Sequence, residues 1–138
     1  MGRFLAIDYG IKRCGIAVSD PLKIIATGLE TVPTKNLFEF LKSYLKREPV
    51  ERFVVGDPKN MNNTDSEMTA VVNAFCEQLK KDFPLIPVHR VDERLTSRMA
   101  LRSLAESGHS KNARKNKGLV DEVSAVLILQ TFMELFPA

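Results

Sequence analysis

Four acidic positions stand where chemistry is possible: Asp8, Asp57, the pair Asp92/Glu93, and Asp121. Asp8 closes the apolar run Phe4–Ile7, and the nearby Gly10 and Gly15 keep side-chain bulk away from it. Asp57 follows Val54-Val55-Gly56, while Asp92 and Glu93 follow the run Val88–Val91. These three groups fall at or just beyond the carboxyl ends of predicted strands, the edge of an open α/β sheet where ligands usually bind. Asp121 opens the last predicted helix and is placed to approach the same edge. Gathered carboxylates repel one another unless a hard cation neutralises them, so the pattern asks for Mg²⁺ or Mn²⁺. Two such ions can activate an attacking water and stabilise the leaving oxygen of a phosphodiester.

Each acid also has a plainer explanation. An aspartate at a strand end is ordinary turn chemistry. Asp92 and Arg94 would make a surface ion pair worth little. Asp121 and Glu122, read as lying in a helix's first turn, are favoured there by the macrodipole. The glycines near Asp8 and the surroundings of Asp121 favour the chemical reading. In an extended chain Asp92 and Glu93 point to opposite faces, so only one of them enters a common site. Asp121 shares a helical face with Ser124, Ala125 and Ile128, and the small residues at 124 and 125 allow close approach to a sheet.

Basic residues accompany the acids. Lys111, Arg114, Lys115 and Lys117 place four cations in seven residues beside Asp121. A solvated loop explains such a run; contact with a phosphate backbone is the sharper alternative. Lys12 and Arg13 add charge in the first turn, and Arg94 is suited to hold a phosphate bidentately. No aromatic-interleaved basic patch appears, so a stacking platform for single strands is not indicated.

The elements that must position these groups follow from hydrophobic periodicity. Strands are predicted over 3–8, 13–19 and 23–32, joined by turns at Tyr9–Lys12, where Gly10 is free to take a positive φ, and at Asp20-Pro21. A helix follows, marked by Leu37, Phe38, Leu41, Tyr44 and Leu45, with Thr34 as N-cap and Pro49 as stop. A fourth strand covers 52–55, and Thr64-x-x-Glu67 reads as a capping box for a helix running to about Lys81. A fifth strand spans Leu85–Val91, a helix runs from Leu95 to Gly108, and an apolar helix covers about 119–135. The order βββαβαβαα predicts one α/β domain over 1–138: a mixed five-stranded sheet, opening with a three-strand antiparallel meander and flanked by helices.

Composition excludes several classes. The 138 residues are 44% hydrophobic and 27% charged, with a net charge of +3, which suits a soluble globular protein and permits nucleic acid. Cys14 and Cys76 lie far apart and read as core residues; with His89 and His109 also unclustered, a zinc site is not expected. The absence of a signal peptide and of a long apolar run points to the cytoplasm and away from membranes.

Taken in order, these blocks resemble the YqgF-type family of Holliday junction resolvase-like proteins, also described as pre-16S rRNA nucleases. The resemblance runs from end to end. It rests on Ile7-Asp8-Tyr9-Gly10 with Gly15–Ser19, on Val54–Pro58, on Asp92-Glu93-Arg94-Leu95-Thr96, and on Asn116–Asp121 with Ser124-Ala125. It implies an RNase H-like fold and divalent-metal phosphodiester hydrolysis with Asp8, Glu93 and Asp121 as the acidic triad. It also implies a cytoplasmic role at the 5′ end of the 16S rRNA precursor. This chain departs from the family pattern at Asn63, where glycine is usual, and at Asp57, where an apolar residue is usual; Asp57 is a candidate auxiliary acid. Cleavage of four-way DNA, which asks for paired sites in a dimer, is the substrate-level alternative to RNA cleavage, and the chain is expected to be a monomer or a homodimer. A non-catalytic module for structured RNA is a second alternative. A nucleotide-binding phosphotransferase would need two such domains.

Overall fold

The computed structural model describes residues 2–58, 67–92 and 117–135, with the backbone alone for 117–121. Two-residue alternation in the opening strand sets the layers. In β1 (Arg3–Asp8), Leu5 and Ile7 belong to one buried cluster, and Phe4 and Ala6 to another on the opposite face. β2 (Arg13–Ser19) repeats this, with Cys14, Ile16 and Val18 on the first face and Ala17 on the second. β3 (Ala26–Pro33) completes an antiparallel meander. β4 (Val50–Asp57) pairs parallel with β1, and β5 (Val88–Asp92) parallel with β4. The sheet order is β3-β2-β1-β4-β5, the mixed five-stranded arrangement expected from the element order.

Helices cover both faces. α1 (Leu37–Arg47) inserts Leu37, Leu41 and Tyr44 into the first cluster, and α2 (Glu67–Asp82) adds Val72, Phe75, Cys76 and Leu79. Their spacing of three and four residues is what one apolar stripe of a helix requires. α3 (Lys117–Leu135) covers the other face with Ala125, Ile128, Leu129 and Phe132. Phe132 meets Phe4 edge-to-face at 5.3 Å between ring centroids, a geometry worth about 0.5–1.5 kcal/mol beyond the area buried. Both cysteines are buried free thiols, as their placement in a strand and a helix implied.

The structure corrects several boundaries. β3 starts at Ala26 rather than 23, because Asp20 organises the preceding residues into a turn. Its carboxylate accepts the N–H groups of Leu22 (3.1 Å), Ile24 (2.7 Å) and Ile25 (2.8 Å), and Lys23 takes a positive φ of 60°. These N–H donors, Ile25 first, hold the Asp20 carboxyl below its ordinary pKa. β5 starts at Val88 rather than Leu85, which is 94% exposed. Thr34 is not an N-cap: a single 3₁₀ turn (Thr34–Asn36) precedes α1, and no side chain caps either segment. α1 does end at Arg47, ahead of an extended Glu48, as a residue before proline requires. The predicted capping box at Thr64, the helix from Leu95 to Gly108 and the basic stretch after it lie outside the described residues.

Candidate active site

Asp8 ends β1 at the carboxyl edge shared by three parallel strands, with Asp57 ending β4 and Asp92 ending β5. Alternation assigns each to a face. Phe4 and Ala6 contact α3, so Asp8 follows them onto the α3 face. It pairs in register with Gly15 on β2. One residue beyond the Ile7–Val55 pair on the other side stands Gly56. Two glycines, Gly15 in register and Gly56 on the other side, therefore flank Asp8 in the neighbouring strands.

The turn carrying Lys12 and Arg13 is held in place by Thr34. Its hydroxyl donates to the Gly10 carbonyl at 2.6 Å, and its N–H donates to the Lys12 carbonyl at 3.0 Å. Gly10 serves this turn through space rather than through a left-handed φ, since a Cβ there would collide with the Arg13 carbonyl oxygen. Arg13 lies on the α3 face with Gly15 and Ala17, the face Asp8 occupies, and Lys12 is exposed at the turn. Of the expected phosphate contacts, Arg13 thus shares a sheet face with Asp8, and Lys12 lies in the adjoining turn. Tyr9 faces the other way and stacks on Phe75 of α2 at 4.2 Å, where burial pushes its phenol up.

Asp57 is a different matter. Phe53 and Val55 contact α1 and α2, and Asp57 continues their side. Arg90 of β5 holds it there: Nη2 donates to Asp57 Oδ1 at 2.9 Å, and Nη1 donates to Asn73 Oδ1 of α2 at 2.9 Å. The expectation that Asp57 borders the site as an auxiliary acid meets this arrangement as a contrary observation. Asp92 pairs in register with Asp57, and because Val91 packs against α3, Asp92 falls on the α2 side as well.

Glu93, Arg94, Lys111, Arg114 and Lys115 lie outside the described residues. Asp121 and Lys117 belong to α3, whose start at Lys117 puts Asp121 beyond the first turn, so the macrodipole accounts for it less well than its expected position did. Asp121 lies one turn before Ala125, which is fully buried against the sheet. Glu122 leans towards Gly28 of β3, where a Cβ would come within 3.7 Å of it. Among the described residues, no three His, Cys, Asp or Glu side chains converge, and no helix is long and apolar enough to cross a membrane.

The same α3 face holds His89, which the sequence marks only as standing apart from the other possible metal ligands. Arg52 donates to His89 Nε2 at 2.8 Å, and the His89 ring lies 4.9 Å from that of Phe132. Arginine has only donors, so Nε2 accepts and the ring proton sits on Nδ1. Burial, and then the Arg52 charge, lower the His89 pKa.

The sheet order and covering helices define an RNase H-like fold. Two solved structures share it: RuvC of T. thermophilus in complex with a Holliday junction substrate (TM-score 0.57, 17% identity, 99% of this chain and 97% of that one) and Thermus thermophilus RuvC (TM-score 0.54, 17% identity, 96% of each). The sequence profile of the family described as "RuvX: Holliday junction resolvase" matches residues 2–135, and the chain belongs to that family. Relatives from Porphyromonas gingivalis (57% identical) and Bacteroides thetaiotaomicron (54%), each matched over 97% of both chains, carry the name "Putative pre-16S rRNA nuclease".

Proposed function

We propose that this chain is a divalent-metal-dependent endonuclease that hydrolyses phosphodiester bonds in structured RNA, with the 5′ region of the 16S rRNA precursor as its cytoplasmic substrate. The observation that carries this reading is Asp8 itself: a carboxylate at the ligand-binding edge, flanked by glycines, facing the helix on which Asp121 lies. Carboxylates are the hard oxygen donors that Mg²⁺ or Mn²⁺ prefers. Asp8, Glu93 and Asp121 would hold the ion or ions, which supply charge neutralisation and activation of water. Arg13 and Lys12 neutralise and orient the substrate phosphates from the adjoining turn. Arg94, Lys111, Arg114, Lys115 and Lys117 would add positive charge for the phosphate backbone.

RNA is favoured over a four-way DNA junction because relatives 50–57% identical over 96–97% of this chain bear the rRNA name. The test is cleavage of pre-16S leader RNA and of a synthetic four-way junction, side by side, with Mn²⁺ present and then chelated. Metal-dependent cuts in the RNA at lower enzyme concentration support the proposal. Preferential cutting of the junction assigns the DNA substrate instead, and binding of RNA without cleavage of either reduces the chain to a binding module.

A further inference from the structure

Thr34 stands just before α1, where a threonine hydroxyl ordinarily accepts a helix N–H, a bond that stabilises by about 1 kcal/mol. Here neither the 3₁₀ turn nor α1 has a side-chain cap. The hydroxyl instead donates at 2.6 Å to the carbonyl of Gly10, 24 residues earlier in the chain. The Thr34 N–H donates at 3.0 Å to the carbonyl of Lys12. The buried Cys14 thiol lies 3.4 Å from the same hydroxyl and can donate to it. A hydrogen bond across the fold contributes about 0.5–1.5 kcal/mol, the same order as the cap it replaces, so stability alone does not select this arrangement.

The two bonds hold a turn with little slack. A Cβ on Gly10 would collide with the Arg13 carbonyl oxygen, so residues 10–13 pack closely onto one another. Tyr9 fixes the near end by stacking on Phe75, and Arg13 fixes the far end by pairing in register with Pro33, the residue before Thr34. Lys12 is exposed between them, and both carbonyls that Thr34 engages belong to this short stretch. We propose that Thr34 is a positioning residue: its two bonds set where Lys12 and Arg13 meet the phosphates of the substrate RNA. This rests on the reading of those two cations as phosphate contacts.

The test is the Kd for pre-16S leader RNA over a range of salt, with metal chelated so that no cleavage intervenes, followed by kcat and KM in Mn²⁺. Thr34→Val should weaken binding about twofold to tenfold, the range that one hydrogen bond can transmit. Thr34→Ser should bind as wild type does. The dependence of log Kd on log salt should become shallower in Thr34→Val, because a displaced phosphate contact releases fewer counterions. KM should rise with kcat unchanged, the pattern of binding lost equally from ground and transition states. A purely stabilising role would move neither the salt slope nor KM in folded protein. In a Lys12→Gln/Arg13→Gln background, Thr34→Val should have no further effect on Kd, since it acts through those side chains. Wild-type affinity and salt slope in folded Thr34→Val overturn the proposal, as does an additive loss in the triple variant or a fall in kcat at unchanged KM. If Thr34→Val does not fold, Thr34→Ala is read by the same criteria. The Lys12→Gln/Arg13→Gln protein separates the two layers. Unaltered Kd and slope there remove the phosphate reading and the positioning role with it; weakened binding there beside wild-type binding in Thr34→Val removes the positioning role alone.

Discussion

Asp8 and Asp57 end adjacent parallel strands and face opposite sides of the sheet. Asp8 continues Phe4 and Ala6 towards α3; Asp57 continues Phe53 and Val55 towards α2 and is bound there by Arg90. A single residue of register decides this, because side chains alternate with a period of two. Two acids that look equivalent in the sequence are therefore divided between a candidate metal site and a structural bridge.

The turn beside Asp8 depends on Thr34. Replacing it with Val removes the hydroxyl that donates to the Gly10 carbonyl, a loss of about 0.5–1.5 kcal/mol. Thr34→Ser should restore most of that stability in chemical denaturation. Equal stability of wild type and Thr34→Val would show that the turn is held by other means.

The approach of α3 to the sheet depends on Ala125, which is fully buried. Ala125→Leu should destabilise the fold by about 1–3 kcal/mol through overpacking. Because Asp121 lies one turn earlier, activity should fall by more than stability alone explains, measured at a temperature where the variant is fully folded. Full activity in a folded Ala125→Leu protein would mean that α3 need not sit this close.

His89 predicts a pH dependence whose sign is fixed. Burial and Arg52 hold its folded-state pKa below the ordinary 6.5, so the unfolded chain binds the extra proton more readily. The stabilisation is complete above 6.5 and is lost as pH falls through the folded-state value. NMR titration should place the His89 midpoint below 6.5, and His89→Gln should flatten stability over that window. A midpoint above 6.5 would contradict the neutral, Arg52-bonded ring.

Much of this architecture is legible in the sequence, for physical reasons that differ by element. The meander and the parallel strands follow from apolar runs closed by Asp8, Asp57 and Asp92, where the change from buried to polar is abrupt. The small pair Ser124-Ala125 correctly marked the part of α3 that packs closely. Asp57 was harder, because a strand placed at 52–55 stops short of it and leaves its face undefined; only pairing with Val88–Asp92 assigns it. Thr34 resembles an N-cap because a threonine before a helix is most often a cap, yet its hydroxyl's partner, the Gly10 carbonyl, is 24 residues away. Leu85 looked like a strand residue by type, yet only β pairing could have shown that it lies outside the ladder.

The central claim is that Asp8 holds a catalytic metal ion, and the most direct measurement is Mn²⁺-dependent cleavage of pre-16S leader RNA by wild type and Asp8→Asn in parallel, each shown to be folded by circular dichroism. The account predicts that Asp8→Asn keeps its fold and RNA binding but loses cleavage by about a hundredfold or more, at or beyond the upper end for residues that merely support a ligand. Metal-dependent cleavage by Asp8→Asn at the wild-type rate would contradict it.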